Sequence, residues 1–264
     1  MMKKDLEKKI LVRTQENIGF LELNNLKKLN AISLSMWENL GEALEEFTAN
    51  SQIRCVLIKG TGNKAFSAGA DISEFEENRS DSEDIRLYEN TSKNTMSLLK
   101  EFPKPTVASI NGYCIGGGLA LALCCDIRIA SANSTFGIPA AKLGLAYGFN
   151  GIKLLTSIVG PAKAKYIFFT ARKFDALQAK EFGILEEVYS IKDLDLKTKQ
   201  LIENIALNAP LTIKSAKMAI DSELNDKKAF EECLKAEQDC FDSDDYAEGR
   251  AAFAEKRKPI FKGH

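Results

Sequence analysis

Apolar and polar positions divide the chain into two textures. Ile18 to Leu23 (IGFLEL) alternates and is rich in apolar residues, the pattern of a strand. Ser35-Met36-Trp37-Glu38 fits a capping box, and Trp37, Leu40, Leu44 and Phe47 recur behind it at helical spacing. The run CVLI from Cys55 to Ile58 reads as a buried strand ending at Gly60. Val107 to Ile110 reads as another, entered from Pro103 and Pro105. Gly116 opens an apolar helix, and Asp126–Ala130 and Thr135–Ile138 are expected to form a further pair of strands. The charged stretch Glu74 to Glu89 reads as a mobile or helical insertion. After Tyr189 glycines nearly vanish until Gly249, and Lys, Glu, Ala and Leu dominate, which predicts three or four helices. The fold class is therefore α/β, with no fixed-period repeat in the residues themselves. The expected division is a core over residues 1–195 and a helical region over 196–264.

Composition narrows the function. The 264 residues can bury a sizeable core. Lys and Arg total 36 against 37 Asp and Glu, so charge balance offers no reason to bind nucleic acid or an anionic membrane surface. The opening MMKKDLEKKIL is followed by no apolar h-region, and the longest apolar run, Tyr113 to Cys125, is too short to span a bilayer. No signal peptide and no membrane partner are expected, and the location expected is cytoplasmic. The six cysteines form no CxxC pair and are expected to be reduced and mostly buried. The only histidine is His264, which excludes a buried Ser-His-Asp triad and a His-rich metal site.

Two glycine segments carry the candidate chemistry: Ala65-Phe-Ser-Ala-Gly-Ala70-Asp71-Ile72, and Asn111-Gly-Tyr-Cys-Ile-Gly116-Gly117-Gly118-Leu-Ala120. Small residues allow another molecule close to the backbone. A glycine cluster opening a helix presents free N–H groups at the positive end of the helix dipole. Two such groups aimed at one point would stabilise an oxygen gaining negative charge. Either segment alone also fits a turn that packs helix against strand. Nucleotide-phosphate codes fail: GxGxxG would need glycine at Leu121, and GTGNK at Gly60 lacks the GK[ST] ending.

Together these segments resemble the crotonase (enoyl-CoA hydratase/isomerase) superfamily. The resemblance extends through Leu29-Asn-Ala31, FSAGADI at 66–72, NGYCIGGG at 111–118, CDIRIA at 125–130, FGIP at 136–139 and AFAEKRKPIF at 252–261. It implies a spiral of ββα units with a C-terminal helical trimerisation region, hence a homotrimer or dimer of trimers. It also implies an acyl-CoA thioester substrate, with no cofactor beyond the coenzyme A of that substrate. The backbone N–H groups of Ala70 and Gly117 would form the oxyanion hole. Ala68, Asp71, Ile72, Ser73 and Gly116 would line the same site. Lys27, Phe253 and Lys256 match family positions near the CoA nucleotide, where a basic group suits phosphate and a ring suits adenine.

The chain departs from the family at two positions. Hydratases of the family carry a glutamate where this sequence has Ala120, and another where it has Ala140. Losing a general acid or base typically removes about 10²–10⁴ in rate per role. What remains is the expected hole plus Tyr147 and Asn150 in LGLAYGFNG, a loop resembling that of methylmalonyl-CoA decarboxylase in the same superfamily. There a tyrosine at the Tyr147 position orients the substrate carboxylate, with Ala120 and Ala140 lining an acyl pocket free of like charge. Three readings follow. One is a lyase that decarboxylates malonyl-type thioesters. Another is a hydratase or isomerase using Glu74, Asp71 or Tyr147. The third is an acyl-CoA binding protein without turnover.

Overall fold

The computed structural model of the chain describes residues 8–71, 82–223 and 226–264. Among the described residues ten strands form two sheets. The larger contains β1 (Ile10–Gln15), β2 (Ile18–Leu23), β3 (Cys55–Gly60), β5 (Thr106–Ile110), β7 (Ile127–Ser131) and β10 (Glu187–Tyr189), in that order. The smaller contains β4 (Ala65–Ser67), β6 (Tyr113–Ile115), β8 (Thr135–Gly137) and β9 (Phe174–Asp175). β1 and β2 make an antiparallel hairpin, after which β2, β3, β5, β7 and β10 run parallel.

The chain winds through these sheets in repeating steps. A longer strand enters the large sheet, a short strand enters the small one, and a helix returns. Thus β3 and β4 precede α2 (Ser82–Lys100), β5 and β6 precede α3 (Gly117–Cys124), and β7 and β8 precede α4 (Phe149–Thr170). The repeat is structural, carried by pairing rather than by sequence identity. It corrects the expectation that Asp126–Ala130 and Thr135–Ile138 pair with each other. β7 pairs with β5 and β10, whereas β8 pairs with β6 and β9. Parallel strands take partners from distant crossovers, not from the next strand in sequence.

The large sheet is covered on both faces, which is why CVLI reads as a continuous apolar run. On one face Val56, Ile58, Ala108 and Ile110 join the main core with α1 (Leu34–Ala49), which contributes Met36, Trp37, Leu40, Leu44 and Phe47. On the other face Cys55, Leu57, Val107, Ile18 and Phe20 meet Ile202 and Ala206 of α6 (Leu194–Leu207). α1 starts two residues earlier than its sequence suggests. Ser33 is the N-cap, accepting the Met36 N–H, and Ser35 lies inside the helix. α4 is broken at Gly160, where φ is 73° and Pro161 follows. Beyond the short α5 (Ala176–Glu181), the region after Tyr189 holds four helices among the described residues: α6, then α7 (Pro210–Asp221), α8 (Lys227–Phe241) and α9 (Asp244–Glu255). Of the charged stretch Glu74–Glu89, the part from residue 82 lies in α2; the rest falls outside the described residues.

Candidate active site

The two glycine segments meet. After β4 the chain turns at Gly69, whose φ of 110° only glycine adopts without strain. The following peptides dock on the loop before α1. Ala68 N–H donates to Leu29 O (3.0 Å), Ile32 N–H to Gly69 O (2.8 Å) and Asp71 N–H to Ile32 O (3.0 Å). Gly69 N–H donates to Ser67 Oγ at 3.1 Å. Ala70 N–H has no acceptor among the described residues. Opposite it, β6 ends at Ile115 and Gly116 follows as the N-cap of α3, with φ 54° and ψ −118°. Gly117 opens the helix, so its N–H is free of intrahelical bonds. A Cβ placed on Gly117 would lie 3.6 Å from Ala70 N, and one on Gly69 would lie 3.7 Å from Gly117 N. Two unpaired donors on different elements thus face one small space, with Ala70 and Gly117 both partly accessible.

The alanines beside this space are buried. Ala120 lies one turn into α3, its N–H donating to Gly116 O at 2.9 Å, and Ala140 opens the 3-10 turn Ala140–Lys142. That turn reaches Gly116 through Pro139, whose Cδ is 3.9 Å from the Cβ position of Gly116. The Asp71 side chain, 2% exposed, is held by Lys28, whose Nζ lies 2.9 Å from each carboxylate oxygen. Lys28 and Lys27 sit in the 3-10 turn Leu26–Lys28. Next to them, Asn30 is buried with φ 56°; its Nδ2 donates to Thr61 O and Ala65 O, tying this turn to β4. Lys28 was not distinguishable in the sequence from surrounding polar residues, because its partner Asp71 is 43 positions away.

Tyr147 shares an apolar pocket of about 490 Å³ with Ala140, Leu145, Ile152 and Phe168. Its ring meets Phe168 edge-on at 5.1 Å between centroids. Burial first, then the Cys124 and Cys114 thiols, push its pKa well above the usual phenol value, so the hydroxyl stays neutral. Cys124 lies one helical turn beyond Ala120, which sets Tyr147 beside that face of α3. Asn150 is exposed at the start of α4.

The structure therefore brings Ala70 to Gly117, with Gly69 and Gly116 beside them; Ala68 and Asp71 flank this turn in sequence, Ala120 lies one turn into α3, and Ala140 follows Pro139. Ile72 and Ser73, and Glu74 beyond them, lie outside the described residues. Phe253, on α9, lines a separate apolar groove of about 1030 Å³ among α7–α9, beside Phe230 and Phe241. Lys256 does not continue the helical face of Phe253. It is the C-cap of α9, with φ 55°. That left-handed turn ends the helix, so the chain leaves the helical path at Lys256.

Paired sheets wound by ββα steps and ending in a helical region define the crotonase fold. A crystal structure of an enoyl-CoA hydratase/carnithine racemase from Magnetospirillum magneticum superposes with a TM-score of 0.91 at 33% identity, covering 97% of this chain and 96% of that one. The sequence profile of the enoyl-CoA hydratase/isomerase family matches residues 13–264, and the chain belongs to that family of acyl-CoA enzymes. It is 38% identical over 252 residues to YngF of Bacillus subtilis, which carries an enoyl-CoA hydratase/isomerase name; the match covers 94% of this chain and 95% of that protein. It is 33% identical over 258 residues to a methylmalonyl-CoA decarboxylase of Escherichia coli, covering 96% and 97%. Among the described residues no helix is long and apolar enough to cross a membrane.

Proposed function

We propose that this enzyme is a lyase that decarboxylates a malonyl-type acyl-CoA thioester. The observation that carries the reading is the combination of two free N–H groups facing one space with alanine, not glutamate, at both adjoining positions. The thioester oxygen binds between Ala70 N–H and Gly117 N–H. The bond from the α-carbon to the carboxylate carbon breaks, its electron pair passes into the thioester as an enolate, and carbon dioxide leaves. Solvent then supplies a proton to the α-carbon. No base has to remove a carbon-bound proton, so the missing glutamates cost nothing in the bond-breaking step. Preorganised donors stabilise the enolate oxygen. Alanine at 120 and 140 spares the substrate carboxylate from like-charge repulsion. Tyr147, neutral at physiological pH, donates a hydrogen bond that orients the carboxylate so that the breaking bond stands perpendicular to the thioester plane. The relative named methylmalonyl-CoA decarboxylase supports this assignment.

Lys27 and Lys256 serve the CoA phosphates, Phe253 the adenine, and Ala68 a wall of the site. The apolar groove among α7–α9 suits assembly as a homotrimer or dimer of trimers. A second reading, hydration or isomerisation, is favoured by the hydratase/isomerase name of YngF. It would draw on Glu74, Asp71 or Tyr147, and of these the Asp71 carboxylate is already engaged by Lys28.

The test is Tyr147→Phe, which keeps the ring and deletes the hydroxyl. Turnover of methylmalonyl-CoA or ethylmalonyl-CoA should fall while affinity for butyryl-CoA stays nearly unchanged. A variant as fast as wild type returns Tyr147 to the role of a pocket wall. Binding of these thioesters without turnover by wild type would support an acyl-CoA binding protein instead.

A further inference from the structure

The peptide that presents Ala70 N–H is not held in a regular sheet. β4 ends at Ser67, and beyond it, among the described residues, the only strand-like contact is the single bridge between Ile32 and Ala70. Its orientation depends on the loop between β2 and α1, to which Ala68, Gly69 and Asp71 are joined by main-chain hydrogen bonds. That loop is itself unusual. It contains the 3-10 turn Leu26–Lys28, followed by Leu29 and Asn30 at φ 51° and 56°. Such conformations persist only where surrounding contacts hold them.

One side-chain contact joins the same two segments at the donor itself. Lys28 Nζ reaches both oxygens of Asp71 at 2.9 Å, and Asp71 is the residue after Ala70. The carboxylate is 2% exposed and the lysine side chain 44% exposed, so the cation reaches in from the surface to a buried anion. A partly exposed ion pair contributes little to global stability. A buried carboxylate deprived of its cation is costly, and a short loop can relieve that cost by shifting.

We propose that Lys28 is a positioning residue for the oxyanion hole: by gripping Asp71 it fixes the direction of the Ala70 N–H. The inference rests on the assignment of Ala70 and Gly117 as the hole. A misplacement of about 1 Å at a reacting centre can cost roughly 10²-fold in rate. Lys28→Met should therefore cut turnover of the best substrate on that scale, with little change in melting temperature. Lys28→Arg, able to engage both oxygens, should restore most of it.

The decisive readout is vibrational. Butyryl-CoA labelled with ¹³C at the thioester carbonyl would be bound to wild type, Lys28→Met and Lys28→Arg, and the carbonyl stretch measured by difference infrared spectroscopy. Wild type should show a shift to lower frequency from two aligned donors. Lys28→Met should lose much of that shift, Lys28→Arg should regain it, and affinity for free CoA should be the same in all three. No shift in wild type would overturn the hole itself. A wild-type shift that persists in full in Lys28→Met would overturn the role of Lys28 and leave the hole standing. Weaker binding of free CoA by Lys28→Met with an unchanged carbonyl shift would make Lys28 a phosphate ligand and likewise overturn it. Should Lys28→Met not fold, Asp71→Asn removes the anion while keeping the side chain's shape, and the same loss of shift is expected.

Discussion

Replacing Gly117 by alanine separates catalysis from stability more sharply than any other single change in this site. The Cβ would stand 3.6 Å from Ala70 N, 3.8 Å from Gly69 C and 4.0 Å from Gly69 Cα, all ordinary van der Waals distances. Nothing in the fold has to move. Gly117 is the first residue of α3, and alanine is favoured over glycine in a helix by roughly 0.5–1 kcal/mol. The melting temperature should hold or rise slightly. The new methyl group nevertheless occupies the space between the two donors, where the thioester oxygen has to sit. Both N–H groups remain, but an oxygen kept out of their reach loses at least one hydrogen bond, a loss that typically costs about 10²–10³ in kcat, roughly 2.7–4 kcal/mol. The assay is steady-state turnover of the best acyl-CoA beside calorimetric unfolding of the same preparation. Full turnover by a folded Gly117→Ala protein would refute the assignment of this space as the hole.

Other expectations follow from the same structure. The double change Ala120→Glu and Ala140→Glu should raise crotonyl-CoA hydration, read as water addition, while lowering stability, since both sites are buried at 8% and 5% exposure. Unchanged hydration in a folded double variant would mean that these positions do not face the substrate. In the C-terminal strap, Glu248 is held at a pKa of about 2, first by hydrogen bonds from Arg257 and Ile260 N–H. A depressed folded pKa stabilises above the unfolded carboxylate value and is lost as pH falls toward the folded one. The protection of the Ile260 amide against exchange, relative to its intrinsic rate at each pH, should therefore fall between about pH 4.5 and 2. In Glu248→Gln that acid-induced step should vanish. A step that survives in the variant would place the titrating group elsewhere.

The legible parts of the chain were those whose signal is local. Glycines at 69, 116 and 117 announce close backbone approach, and CVLI announces a strand covered on both faces. The parts that were not legible depend on partners remote in sequence. The stretch from Asp126 to Ile138 reads as a pair of neighbouring strands because its two apolar runs are close together, yet parallel pairing sends them to different sheets. Ser33 and Ser35 are equal candidates for a cap until backbone angles are known; Ser33 alone has the extended conformation, with ψ at 168°. Lys28 looks like one of two adjacent solvated lysines, and only the fold brings Asp71 to it, 43 residues away. The turn at Lys256 is equally hidden, since nothing in AEKRK marks which residue adopts the left-handed conformation.

The most direct test of the account is the product that wild-type protein forms from two thioesters. Methylmalonyl-CoA and crotonyl-CoA would be incubated separately with enzyme and followed by mass spectrometry of the CoA species. The account predicts loss of carbon dioxide from methylmalonyl-CoA to give propionyl-CoA, with crotonyl-CoA left essentially unhydrated. Rapid water addition to crotonyl-CoA, with methylmalonyl-CoA and other malonyl-type thioesters intact, would contradict it.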